Sequence, residues 1–371
     1  MTMRWVRVQN FKAIVDSRRV LLGPLTAMVG NNGSGKSSLI EALETWQAVV
    51  HSGLDSAMGR WLGIEHARHK AMEARERLGK AVNPIRFAAN IKLPKRQSLR
   101  FETALNNDAA ANAMFIAAER VSFRSGHSWS REDGPALPPG ESMYRAPTVA
   151  YADEIGQIGD WQFLSLQPEL MGRPQSQQRT RGGVRLRKDG SNIADYLLEI
   201  RKLDAAAFEG IVQTMNYVLP YARDLQPAIT SELERKSYLQ MSEANYKVPG
   251  WMLSTGTLRV LALLAVLRHP RPPPLVIVEE IENGLDPRSI HLLVEEIRTA
   301  VLSGVTQVVL TTHSPYLLDL LKLDQIVLVV RDADGHPRFH RPQDSDSLQR
   351  WSQEFSPGRL YTMGKLHEAA Q

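Results

Sequence analysis

The sequence contains no cysteine. Disulfide scaffolds, thiolate metal sites and cysteine nucleophiles are therefore excluded. It also lacks a long apolar run. The longest, Val260–Leu267, is closed by Arg259 and Arg268, far short of the ~20 residues that cross a bilayer. Arg4 and Arg7 stand near the start with no apolar stretch behind them, so no secretory leader is read and a soluble cytoplasmic protein is expected. There is no internal repeat. What is present is balanced: 43% of residues are hydrophobic and 23% charged, which argues against disorder over most of the chain. The 371 residues suit two or three domains, or one large domain with an insert.

The net charge of +5 is unevenly placed. Arg60–Arg100 holds 11 Lys/Arg against 3 Asp/Glu, and Met171–Gly190 holds 6 against one. Such patches suit nucleic-acid phosphates; the plainer reading is a solvated surface or a disordered loop.

Hydropathy patterning gives strands at Arg4–Gln9, Arg19–Leu22 and Leu25–Val29, the last almost wholly apolar, and then a helix at Ser37–Val50. The polar stretch after His51 reads as a helix over Glu65–Lys80. Strands follow at Ile85–Leu93, Ser98–Leu105 and Met114–Phe123, a loop at Ser125–Pro147 and a core strand at Trp161–Leu166. Gly172–Gly190 reads as mobile. Helices over Ser191–Leu203 and Asp204–Leu219 each open on a capping residue, Ser191 and Asp204. Ser231–Leu253 reads as a hairpin. Beyond it, the helix Thr257–Leu267, strand Leu275–Val278, helix Arg288–Leu302, strand Gln307–Thr311, helix Pro315–Lys322 and strand Ile326–Arg331 alternate, as a parallel sheet requires.

Gly30-Asn31-Asn32-Gly33-Ser34-Gly35-Lys36-Ser37 matches G-x-x-x-x-G-K-[ST] in full, between an apolar strand and a helix that continues through Ser38. Glycines let backbone N–H groups curl around phosphate oxygens, and the helix N-terminus adds its positive dipole end. In such a loop Lys36 would bridge the β- and γ-phosphates and Ser37 would ligate Mg²⁺. Downstream, Leu275–Val278 is an apolar strand ending in Glu279 and Glu280. Parallel strands deliver their last residues to the ligand-binding edge. There Glu279 would join the Mg²⁺ shell and Glu280 would orient or deprotonate the attacking water. Leu253-Ser254-Thr255-Gly256-Thr257 precedes a helix; it suits an anion, or plain N-capping by Ser254 or Thr255. Asn283-Gly284-Leu285-Asp286-Pro287 reads as a turn before a helix, and His313 ends the next strand.

Taken together, this motif order resembles that of ABC-type ATPase heads. The opening Asn10-Phe11-Lys12 is similar to the start of the RecF/SMC branch. Phe163–Glu169, Asp189–Asn192, Leu253–Arg259 and Glu279–Leu285 resemble stand-alone ATPases of the RecF-like AAA family. The resemblance covers about residues 3–342. It implies an α/β head with a mixed sheet, a parallel core plus antiparallel hairpins, and a helical arm. The implied layout is an N-terminal ATPase lobe over 1–170 with an insert at about 51–150, an arm over 171–270, a C-terminal lobe over 271–342 and a tail over 343–371. It implies ATP and Mg²⁺ as cofactors, and a head-to-tail homodimer around two ATP molecules. Ser254 and Gly256 would contact the γ-phosphate held by the other subunit, with Asp286 across the same dimer. His313 would be the switch histidine. Gln167 would approach Mg²⁺ and the water, with Gln157 and Gln162 as rivals.

Three departures stand out: Thr255 and Thr257 replace G and Q of L-S-G-G-Q, Glu279 replaces the usual Asp, and no long coiled coil is present. The expected output is a switch acting on a separately encoded effector such as a nuclease, in phage defence. The alternatives are a DNA-binding ATP clamp in repair and, less suited by its inserted hairpins, a transporter's ATPase subunit. No membrane partner is expected.

Overall fold

The computed structural model describes residues 2–70, 76–77, 80–81, 83–93, 98–123, 126–134, 136–145, 155–177, 183–220, 222–230, 234–243 and 245–368. The chain divides into two compact units, Met1–Trp161 with Leu321–Gln371, and Gln162–Leu320. Parallel and antiparallel strands both occur, so the mixed α/β class is observed.

The first unit opens with strands β1 (Thr2–Phe11), β2 (Ile14–Asp16), β3 (Val20–Leu21) and β4 (Leu25–Val29). β4 is buried at all five positions and feeds, through Gly30–Gly35, helix α1 (Lys36–Ser52). Gly35 stands at the helix N-cap at φ 112°. α1 buries Leu39, Leu43, Trp46 and Val50, spaced by three or four residues as one helical face requires. Short helices α2 (Leu54–Gly59) and α3 (Ile64–Ala67) follow. The helix expected over Glu65–Lys80 stops early, because Arg68 is extended and lies 5% exposed with its guanidinium donating to Asn106 Oδ1 at 3.0 Å. Residues 71–75 and 78–79 of that expectation lie outside the described residues, and residues 76–77 are extended. Strands β5 (Ile85–Lys92), β6 (Ser98–Asp108), β7 (Ala113–Phe123) and β8 (Ser128–Ser130) form an antiparallel sheet with β1, in the order β8-β7-β6-β5-β1-β2. One face carries the buried Val6, Val8, Phe87 and Phe101. On it Trp46 is fully buried, edge-on to Phe101 and donating Nε1–H to Thr103 Oγ1 at 3.0 Å. Burial of this one indole stabilises the unit by about 3–5 kcal/mol relative to alanine.

The second unit begins with β9 (Gln162–Leu164), shorter than the expected strand, and α4 (Pro168–Met171). β10 (Gln175–Ser176), helices α5 (Ile193–Leu203) and α6 (Ala205–Val218), and strands β11 (Ala222–Ile229), β12 (Lys236–Glu243) and β13 (Tyr246–Pro249) build the arm. Asp204 caps α6 as expected, accepting from Ala206 and Ala207 N–H. The cap expected at Ser191 is not formed. Asn192 holds that place, and its amide instead ties Arg187 N–H (2.7 Å) and the Arg185 carbonyl (2.8 Å) into the preceding turn. Asp224 and Pro227 mask β11 in the sequence; the strand pairs only with β12, and proline is tolerated on such an edge. Helix α7 (Thr255–Leu267) is apolar almost all round and buried. Strands β14 (Leu275–Val278) and β15 (Gln307–Thr312) run parallel to each other, and β9 is parallel to β14. Helices α8 (Pro287–Leu302) and α9 (Pro315–Asp319) complete the unit.

The chain then returns to the first unit. β16 (Ile326–Arg331) pairs in parallel with β4, setting Leu328 opposite Val29, and β17 (Pro337–His340) folds back antiparallel on β16. Three short helices, α10 (Asp346–Trp351), α11 (Pro357–Thr362) and α12 (Lys365–Glu368), anchor the last segment through the buried Leu348, Leu360 and Leu366. Among the described residues no helix is long and apolar enough to cross a membrane.

Candidate functional site

In the first unit, the loop between β4 and α1 is built by steric necessity. A Cβ on Gly30 would lie 2.1 Å from the Val329 carbonyl oxygen of β16, so only glycine lets the loop leave the strand there. Gly33 turns at φ +75°, where glycine is favoured. Lys36 is 7% exposed, and its Nζ donates to the carbonyls of Gly30 (2.7 Å) and Asn31 (3.1 Å). The ammonium therefore lies inside the curl of the loop. Ser34 Oγ is buried with no partner. Asn31, Asn32, Gly33 and Ser37 are exposed, whereas Gly35 and Ser38 are buried. An orphaned hydroxyl, an inward ammonium and the unsatisfied N–H groups of a helix start suit an anion with several oxygens. Arg331, at the end of β16, donates Nε–H to the Gly33 carbonyl at 2.7 Å and fixes the loop's tip.

In the second unit, β14 ends in a cluster of glutamates. Glu279 N–H donates to the Leu164 carbonyl at 2.9 Å, and Glu279 Oε1 lies 3.7 Å from Lys188 Nζ. Glu280 adopts φ 48°, a left-handed conformation that costs a non-glycine residue of order 1 kcal/mol and clusters at functional sites. Its N–H donates to Thr311 Oγ1 at 2.8 Å, and its Oε2 accepts from Asn283 Nδ2 at 2.5 Å. The carboxylate is exposed and aimed by these two anchors. Glu282 Oε1 accepts the His313 backbone N–H at 2.5 Å, and its Oε2 is buried with no partner. This bond ties the strand end carrying Glu280 to the half-buried His313. Burial pushes the Arg259 guanidinium below the ordinary arginine value, opposed by the charges of Glu169, Glu280 and Glu282.

Nearby, Ser254 caps α7, its Oγ accepting Thr257 N–H at 3.1 Å, while the residue stays exposed. Gly256 packs so closely on Gly284 that a Cβ would sit 2.6 Å from the Gly284 carbonyl. Asp286 caps α8 through Ser289, and that hydroxyl together with the Ser289 N–H holds its carboxyl below the usual range. Gln167 is exposed at the start of α4, its N–H on the Asp189 carbonyl at 2.9 Å. Its rival Gln162 is buried, with Nε2 committed to the Leu186 carbonyl at 2.8 Å, and Gln157 opens a 3₁₀ turn in the first unit.

The second unit thus brings together Glu279, Glu280 and His313, and sets Gly256 against the loop before Asp286. Sequence reasoning missed Lys188, Thr311, Glu282 and Arg331. Glu282 stood in view within Glu-Glu-Ile-Glu, but nothing in the string ranks it; Lys188 adjoins the Asp189–Asn192 motif that the resemblance picked out.

The AAA_21 family model, described as "AAA domain, putative AbiEii toxin, Type IV TA system", matches residues 25–319. No curated protein matches the chain in sequence. Among solved structures, the chain is similar to an SmcHead bound to the C-winged helix domain of ScpA, with a TM-score of 0.53 and 15% identity over 92% of this chain and 98% of that one. It is also similar to the Smc head domain with an extended coiled coil bound to the C-terminal domain of ScpA, from Pyrococcus furiosus, with a TM-score of 0.53 and 13% identity over 95% and 98%. At these identities the likeness is one of fold.

Proposed function

Since the chain belongs to the AAA_21 family and is an SMC/RecF-like ABC-class P-loop ATPase head, we propose that it hydrolyses ATP and uses the cycle as a switch. The observation that carries this reading is the phosphate loop, with Lys36 Nζ held on the Gly30 and Asn31 carbonyls and Ser34 Oγ buried without a partner. In this reading the backbone amides from Asn31 to Ser38 and the Lys36 ammonium grip the triphosphate. Ser37 and Glu279 would hold Mg²⁺, assisted by Gln167, and the ion would supply neutralisation of phosphate charge. Glu280, aimed by Thr311 and Asn283, orients the attacking water and accepts its proton. His313 contacts the γ-phosphate. The overall step is ATP + water → ADP + phosphate.

The reading extends to a head-to-tail homodimer in which Ser254, Gly256 and Asp286 complete the pocket of the other copy. It is supported by the exposure of Ser254 and Asp286 and by two large apolar side chains beside the motif, Trp251 at 54% and Met252 at 70% exposed. Such side chains favour an interface. In this reading the switch controls a separately encoded effector in phage defence; the family's description, "putative AbiEii toxin, Type IV TA system", supports a defence setting. The DNA clamp is supported less, because several patch cations are already engaged: Arg60 pairs with Glu44, Arg100 with Glu102 and Lys188 with Glu279. The test is Glu280→Gln. It should bind ATP, fail to hydrolyse it and accumulate as a dimer in light scattering; wild-type turnover by this variant would overturn the base assignment.

A further inference from the structure

The outer face of the first unit's antiparallel sheet holds a cavity of about 330 Å³ that the ATPase reading does not use. Its floor follows from the strand register. Arg86 pairs with Ala104 and Ala104 with Ala118, while Ala88 pairs with Glu102 and Glu102 with Arg120. Ala88, Ala104 and Ala118 therefore adjoin one another across three strands. Alanine is a poor strand former, and three together on a sheet's open face sacrifice local preference for clearance. A register shift between Ala104 and Leu105 leaves Ala117 as an extra residue in β7, and such bulges re-aim side chains beside functional sites.

The lining holds six arginines and three glutamates; Glu119 is fully buried against Ser142, Met143 and Arg131, and with that pair set aside the formal balance of the rim is 5 − 2 = +3. Arg7 pairs with Asp16, Arg100 with Glu102 and Arg131 with Glu119. Arg19, Arg86 and Arg120 form no ion pair among the described residues, and Arg19 lies over the Trp5 ring at 4.8 Å. Guanidinium groups around a concavity focus positive potential and offer paired N–H donors suited to phosphate. Glu102 and Glu132 on the same rim accept from hydroxyl or amino groups and would repel the continuous charge of a nucleic-acid backbone. Trp5 supplies an aromatic wall. A volume of this size lies within the range of small-ligand sites.

We propose that this cavity binds a phosphorylated small molecule of nucleotide size, its phosphate on Arg86 and Arg120 and its neutral polar part toward Glu102 and Glu132. The site is distinct from the phosphate loop. The test is calorimetric titration of the full chain carrying Lys36→Ala with AMP, GMP, CMP and UMP in turn. At least one should bind with unit stoichiometry. Adding Arg86→Ala and Arg120→Ala should weaken it by about tenfold or more, as loss of charge-assisted hydrogen bonds requires. Ala88→Leu, which fills the floor without changing charge, should do the same while thermal stability is kept. Absence of binding by all four at millimolar concentration would overturn the proposal, as would binding indifferent to these substitutions. An arginine pair that governs only duplex DNA binding, with a reduced salt slope, would overturn it in favour of a nucleic-acid face.

Discussion

Gly30→Ala is the sharpest perturbation of the phosphate loop. The added Cβ would lie 2.1 Å from the Val329 oxygen, and ordinary contact begins at 3.4 Å. The shortfall is 3.4 − 2.1 = 1.3 Å against backbone in a strand whose Val329 is fully buried, so the loop rather than the strand must move. Overpacking of this kind costs about 1–3 kcal/mol. A displacement of that order also pulls the Gly30 carbonyl off Lys36 Nζ, now 2.7 Å away. ATP affinity should fall by at least about tenfold, and denaturant unfolding should show the stability loss. Gly33→Ala is the control: no atom lies within 4 Å of its added Cβ, and only the φ of +75° resists it. Its cost is about 1–2 kcal/mol of conformational strain. The clash reasoning fails if Gly30→Ala binds ATP as tightly as wild type, or if Gly33→Ala proves the more damaging.

Three further outcomes follow from the second unit. Lys188→Met should change the Mg²⁺ dependence of ATP binding, because Lys188 Nζ lies 3.7 Å from Glu279; an unaltered Mg²⁺ titration in calorimetry would remove Lys188 from the site. Glu280→Gly should abolish turnover yet leave stability unchanged or raise it by up to about 1 kcal/mol, since glycine accepts φ 48° freely; clear destabilisation in urea would mean the carboxylate is a structural anchor. His269 stacks on Tyr196 at 5.1 Å, and burial holds its pKa below the ordinary 6.5. The unfolded chain therefore binds more protons than the folded one just below pH 6.5, so stability falls as pH drops through that value toward the depressed folded pKa. His269→Phe should flatten this fall between about pH 7 and 5, and an unchanged slope would refute it.

Much of the head was legible because its signals are local. Gly30–Ser37 and the apolar runs at Leu25, Val260, Leu275 and Gln307 each declare their element within a few residues. Ser254 caps its helix, one of the two residues the string offers for that place. What was not legible depends on distant partners. Arg68 ends α3 by reaching Asn106, and Trp46 finds Thr103 on β6. Lys188 meets Glu279 only after α5 to α7 and the arm strands have folded between them in sequence. The edge position that permits Pro227 in β11 is a property of sheet order. The alanine floor of the outer cavity is visible only once the register sets Ala88, Ala104 and Ala118 side by side.

The claim that each copy completes its mate's pocket is tested most directly by mixing two defective variants. Lys36→Ala lacks a working phosphate loop, and Ser254→Arg lacks a working signature; each alone should hydrolyse no ATP. In a two-fold dimer, a mixed pair has one pocket with an intact loop from one copy and an intact signature from the other, so an equal mixture should recover about a quarter of wild-type turnover. If the mixture stays as inactive as its components while both fold normally, the two copies do not share pockets.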